Sequence, residues 1–190
     1  MGESITIKGK RLTIEQDENM DSPREWDNLG KMVMSHRRYN LPNEANIKFE
    51  NFDGFKEIVK FLEDEKDLFV WLPVYMYEHS GVGLSTSNSA YPYNCPWDSG
   101  MAGLIFMTKK EAKENKLDEE AALARLRDEV ETYSKYLNGE IYVFRLEKME
   151  KCDKCGHVDW EMIECCGGFY EAKDMKDHVP KEFHEWLDKL

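Results

Sequence analysis

Three short segments carry side chains whose types and spacing suit chemistry on a charged ligand. Ser35-His36-Arg37-Arg38-Tyr39 sets an imidazole, which titrates near neutrality, beside two guanidiniums. Guanidinium forks match phosphate and carboxylate, so the pair fits either anion capture or ion pairs with nearby acids such as Asp27 and Glu25. In His79-Ser80-Gly81 the imidazole is a candidate general acid or base, and the hydroxyl a candidate nucleophile or hydrogen-bond donor. The third segment is Cys95-Pro96-Trp97-Asp98-Ser99-Gly100. Pro96, Asp98 and Gly100 account for a turn by themselves. A working reading makes Asp98 the orienting partner of His79 or His36 and Cys95 a pocket thiol. The candidate catalytic set is therefore His36, His79 and Asp98, and the candidate binding set is Arg37, Arg38, Tyr39, Ser80, Trp97 and Ser99. Two imidazoles with two guanidiniums and no acidic metal-binding motif suit metal-independent phosphodiester cleavage. One imidazole would take a proton, another would give one, and arginine would hold the phosphate.

A fourth cluster has a different character. Cys152-Asp153-Lys154-Cys155-Gly156-His157 is followed by Glu164-Cys165-Cys166-Gly167-Gly168. Cys-x-x-Cys-Gly at a hairpin tip is a zinc-knuckle signal, and the returning strand carries a Cys-Cys pair. The expectation is a structural zinc on Cys152, Cys155, Cys165 and Cys166, with His157 as an alternative ligand; a free-thiol turn is the competing reading.

These groups must be held by elements that the hydrophobic pattern outlines. SITIKGKRLTIEQ alternates around a Gly-Lys turn, placing Ile5 and Ile7 on one face with Leu12 and Ile14, and reads as a hairpin. REWDNLGKMVMSHRRY is mixed, either a short helix or an irregular edge, with Gly30 against a long helix. FDGFKEIVKFLEDEK is helical, with Phe55, Ile58, Val59 and Leu62 on one face. DLFVWLPVYMYE reads as a buried strand, with Pro73 marking a bulge or an end. From His79 to Gly103 the pattern is that of one long loop, after which AGLIFMT is a second buried strand. Thr108 caps a short helix, and Ala122, Leu126, Val130 and Tyr133 form the inner face of the helix DEEAALARLRDEVETYSKYLNGE. IYVFRLEKME and VDWEMIE make a closing hairpin, and VPKEFHEWLDKL a last helix. The expected class is α+β: a mainly antiparallel sheet with helices on one face and a long loop at the sheet end. With no long linker, residues 1–190 read as one domain, with the zinc-knuckle hairpin at 148–168.

The bulk numbers bound the function. The formal charge of −12 repels nucleic acid in general. It leaves two nucleic-acid roles, a local basic pocket or mimicry of DNA toward a basic partner. No apolar run approaches a bilayer span, and the start MGESITIKGK has no apolar signal-peptide core. The expectation is therefore a protein with no membrane partner. Five cysteines without a secretion signal point to reduced thiols rather than a disulfide framework.

Read in order, DNLG (27–30), MxxxHRRY (32–39), LPVYxYxHSG (72–81), CPWDSGxxG (95–103) and CGGFY (166–170) resemble a family of small accessory proteins of phages, plasmids and conjugative elements. The likeness runs from Asp17 to Tyr170. The nearest association is with anti-CRISPR proteins that disable type II effector nucleases. The resemblance implies counter-defence in the cytoplasm of a bacterial host: an inhibitor that binds a host nuclease or its guide RNA or DNA, or a restriction enzyme. It also admits a ribonuclease-like enzyme acting on guide RNA and a zinc-stabilised interaction module. The Cys-x-x-Cys insertion is absent from many relatives, which makes zinc peripheral to any shared activity. An exposed edge strand would permit a homodimer.

Overall fold

The structure is a computed structural model describing residues 2–79 and 81–190. Eight strands and four α-helices follow in the order β1 (Glu3–Ile7), β2 (Lys10–Gln16), β3 (Lys31–Met34), α1 (Phe55–Glu65), β4 (Leu68–Glu78), β5 (Val82–Ser85), β6 (Ser99–Thr108), α2 (Lys109–Glu114), α3 (Glu119–Leu137), β7 (Tyr142–Lys151), β8 (Val158–Phe169) and α4 (His184–Leu187). The class is α+β, as the pattern indicates. The strands form two four-stranded antiparallel sheets, ordered β1-β2-β7-β8 and β3-β6-β4-β5. The chain divides accordingly into two compact units, one of residues 1–21 with 139–190 and one of residues 22–138.

In the first unit the N-terminal hairpin forms with Ile5 opposite Leu12. Its turn is Lys8-Gly9, both at positive φ (48° and 75°), rather than Gly9-Lys10. Two successive left-handed residues match the twist of a tight hairpin. β2 then pairs with β7 and β7 with β8. Leu12, Ile14, Phe144 and Leu146 lie on one face and pack with Met175, Val179, Phe183 and Leu187. The closing segment is a 3-10 turn (Lys181–Phe183) running into α4, shorter than the expected helix.

In the second unit the sheet is covered on both faces rather than one. The reason is the apolar run of β6, in which residues 102–107 are all buried. Ile105 and Met107 join Met32, Met34, Val74, Leu126, Val130 and Tyr133 in one cluster. Leu104 and Phe106, pointing the other way, join Val33, Ile58 and Leu62 in another. α3 uses the predicted face of Ala122, Leu126, Val130 and Tyr133, and Asp118 caps its start. Thr108 and Glu111 form a capping box at α2, satisfying two orphan N–H donors reciprocally.

A buried charge cluster ties this unit together. Arg24, with its side chain 6% exposed, donates to Glu44 Oε2 at 2.7 Å, to Glu129 Oε2 at 3.0 Å and to the Gly30 carbonyl at 2.7 Å. Burial opposes the guanidinium's charge, and Glu44 and Glu129 more than offset it, holding its pKa above the ordinary range. Glu129, on α3, also accepts the backbone N–H groups of Leu29 and Gly30. A Cβ at Gly30 would stand 2.5 Å from Leu126 Cδ2 and 2.9 Å from Glu129 Oε2, so the DNLG glycine serves close approach. Removing one partner of such a cluster strands a buried charge. Arg24→Ala should lose about 3–5 kcal/mol of unfolding free energy in urea titration. A loss within the scatter of surface substitutions would show that the cluster does not hold the unit.

Candidate functional site

The second sheet converges at one end. β3 runs out at Met34, β4 at Glu78, and β6 begins at Ser99. Backbone bonds stitch these ends: Ser35 N–H to the Ala102 carbonyl at 3.0 Å, and Glu78 N–H to the Asp98 carbonyl at 2.8 Å. Between them lies a cleft of about 450 Å³, lined by residues 35–38, Met76, Glu78, His79 and residues 97–102. His36, Arg37, Arg38, His79, Trp97, Asp98 and Ser99 from the three sequence segments all line it. Tyr39 stacks on His36 with ring centroids 5.2 Å apart. Ser80 lies outside the described residues, as does Met1.

The expected loop from His79 to Gly103 is interrupted. Residues 82–85 form β5, paired with β4, and β6 starts at Ser99. Val82-Gly83-Leu84-Ser85 is too short to show a period. It is fixed from outside, where the Leu84 N–H donates to Ser134 Oγ of α3 at 2.8 Å. What remains irregular is residues 86–98.

Glu78 is the hub of the cleft. Its Oε1 accepts Arg38 Nη1 at 2.5 Å and the Tyr39 hydroxyl at 3.2 Å, and its Oε2 stands 3.6 Å from His36 Nε2. Arg38 thus pairs with Glu78 rather than with Asp27 or Glu25. Arg37 has no ion pair among the described residues and lines the cleft. The Arg38 N–H donates to His36 Nδ1 at 3.3 Å, which assigns the ring proton of a neutral His36 to Nε2, facing Glu78. His79 Nδ1 stands 3.8 Å from Asp98 Oδ2, the partner expected for it, and its side chain is 67% exposed. Both imidazole–carboxylate separations exceed a direct hydrogen bond. Ser99 Oγ donates to the carbonyls of Tyr93 and Cys95, so its hydroxyl braces the loop. Cys95 Sγ lies 3.9 Å from Asp98 Oδ2.

Two features stand outside the candidate site residues, although Tyr77 falls within the LPVYxYxHSG stretch. Glu78 reads as a charge ending a strand and gains meaning only when β3 and β4 end at the same place. Tyr77 gathers Tyr91, Tyr93 and His79 around it at centroid distances of 6.2, 6.5 and 6.4 Å. A hydrogen bond with Tyr91, then burial, pushes the Tyr77 phenol up to about 12.

The thiols are placed otherwise than the four-cysteine set requires. Cys152 and Cys155 lie in the turn joining β7 and β8, whereas Cys165 and Cys166 pair with Arg145 and Phe144 along the hairpin. At about 3.3 Å per residue this separates the two pairs by roughly 20 Å. Successive strand residues also point to opposite faces, which splits Cys165 from Cys166. Among the described residues no group of three or more His, Cys, Asp or Glu side chains is placed to hold one metal ion.

No protein-family model matches the chain, and neither a curated protein nor a solved structure matches it. No helix among the described residues is long and apolar enough to cross a membrane.

The Tyr39 phenol is held above its ordinary range by burial and by Glu78, against the pull of Arg38. Glu78→Gln removes the negative charge that disfavours the phenolate, so one phenol should ionise at lower pH than in the parent. Ultraviolet titration reads this, with Tyr39→Phe identifying the phenol. An unmoved titration would show that Glu78 does not face Tyr39 in solution.

Proposed function

We propose that the cleft is a macromolecule-binding face, and that the protein is a mobile-element counter-defence factor that blocks a type II RNA-guided nuclease by docking on the effector or its nucleic acid. The observation that carries this reading is the exposure of Trp97 on the cleft that Arg37 and Arg38 also line. Trp97, on the cleft wall, is 90% exposed, and Tyr91, packed edge-on against Tyr77, is 75% exposed. Tryptophan, tyrosine and arginine are the residue types that dominate binding hot spots. They also serve as platforms for unstacked bases. Arg37 is available to a phosphate or carboxylate of the partner. The charge of −12 supports a basic docking surface on the other side, such as a nucleic-acid channel, since complementary fields steer encounter. The ordered motif series supports the counter-defence setting.

A second reading has its own support. Each imidazole sits within 4 Å of a carboxylate, at 3.6 Å for His36 and 3.8 Å for His79, from which a small side-chain movement would make an orienting hydrogen bond. That arrangement fits metal-independent cleavage of guide RNA. Against it, His36 has Nδ1 engaged by backbone and Nε2 turned to Glu78. Mimicry of DNA toward a restriction enzyme rests on charge alone.

The experiment is to titrate the purified protein into a guide-loaded type II effector and follow target cleavage and guide length together. Binding predicts that cleavage stops near one-to-one stoichiometry with the guide intact. It also predicts that Trp97→Ala weakens inhibition about 30-fold, as loss of a hot spot near 2 kcal/mol does. Guide shortening at substoichiometric dose, lost in His79→Ala, would replace binding with catalysis. No complex and no effect on cleavage would sink both.

A further inference from the structure

The turn at the tip of β7 and β8 carries the Cys-x-x-Cys-Gly pattern of a knuckle, with no further ligand placed beside its two cysteines among the described residues. Cys152 N–H donates to the His157 carbonyl and Gly156 N–H to the Cys152 carbonyl, both at 2.8 Å, with Gly156 at φ 72° closing the turn. Both cysteines are exposed. A structural zinc takes four ligands in a tetrahedron, with thiolate as the preferred donor. The chain's own second pair lies roughly 20 Å away along the hairpin. No third His, Cys, Asp or Glu among the described residues completes a site at the tip.

We propose that this turn is one half of a zinc site completed by the same turn of a second copy, so that Cys152 and Cys155 of two chains hold one zinc and join the chains tip to tip. Another observation fits that occupant. The arm behind the tip carries Met149, Val158 and Met162, which are 47%, 42% and 56% exposed. In the β7–β8 register Met149 stands opposite Trp160 and Lys151 opposite Val158, so these apolar groups share the face turned away from Leu146 and the core. An apolar strip beside a half-made metal site is what a second identical arm would cover. Each thiol gives up its proton as zinc binds, so uptake strengthens with rising pH.

The proposal is independent of what the cleft binds. It is tested on the full chain, reduced and stripped of metal, by titrating zinc chloride while following mass by light scattering and zinc content. The expected result is one zinc per two chains, a doubling of mass reversed by chelation, and four sulfur neighbours at about 2.3 Å in X-ray absorption. Cys152→Ser with Cys155→Ser should abolish both uptake and dimer. Cys165→Ser with Cys166→Ser, and separately His157→Ala, should leave both unchanged. One zinc on a monomeric chain, a requirement for Cys165, Cys166 or His157, or no zinc uptake by the parent protein would overturn the proposal.

Discussion

The bond from Arg24 to Glu129 is the constraint on which the second unit depends. Its two side chains are 6% and 4% exposed, a setting in which removing either partner leaves a buried charge with fewer contacts. Through it α3 is coupled to the segment before β3, and through Glu44 to the segment after it. Glu44 Oε2 also accepts the Met32 N–H at 2.7 Å, so the same cluster grips β3 directly. β3 is only four residues long and pairs with β6 alone among the strands. That grip adds to the backbone bonds from Met34 to Pro42 and from Ser35 to Ala102 that fix the strand's end, and its end sets where His36, Arg37 and Arg38 emerge.

The cleft inherits its geometry from that arrangement. Three strand ends deliver segments that are far apart in the chain, and Glu78 joins two of them through Arg38, His36 and Tyr39. The result is a local charge balance within an acidic protein. Glu78 is occupied by Arg38, Asp98 stands near His79, and Arg37 is left to face solvent. Trp97 lines the same cleft as these groups. Such placement permits close approach of a large partner while the rest of the surface sets the long-range field.

Local pattern made many elements legible and left their pairing hidden. Alternation found β1 and β2, and the 3.6-residue period found the buried face of α3 residue by residue, because both are properties of a short window. The division into two sheets was not visible, since β2 pairs with β7 some 130 residues later and nothing local names that partner. Glu129 falls on a helix otherwise charged on its outer side, and its burial follows only from Arg24 and the DNLG backbone meeting it. The segments carrying His36, His79 and Trp97 stand out by composition, and the structure places all three on one cleft. The four thiols looked alike in the sequence, yet strand register separates them, because a Cys-Cys pair within a strand cannot fold back on a hairpin tip.

The claim most open to a direct check is that the cleft end of the second sheet is the face that meets the partner. Site-specific photo-crosslinkers at positions 37, 91 and 97, with controls at Arg127 on α3 and Lys60 on α1, would be irradiated with a guide-loaded type II effector. The account predicts adducts to the effector or its nucleic acid from the first three positions and none from the controls. Adducts confined to the control positions, or an equal yield from all five, would contradict it.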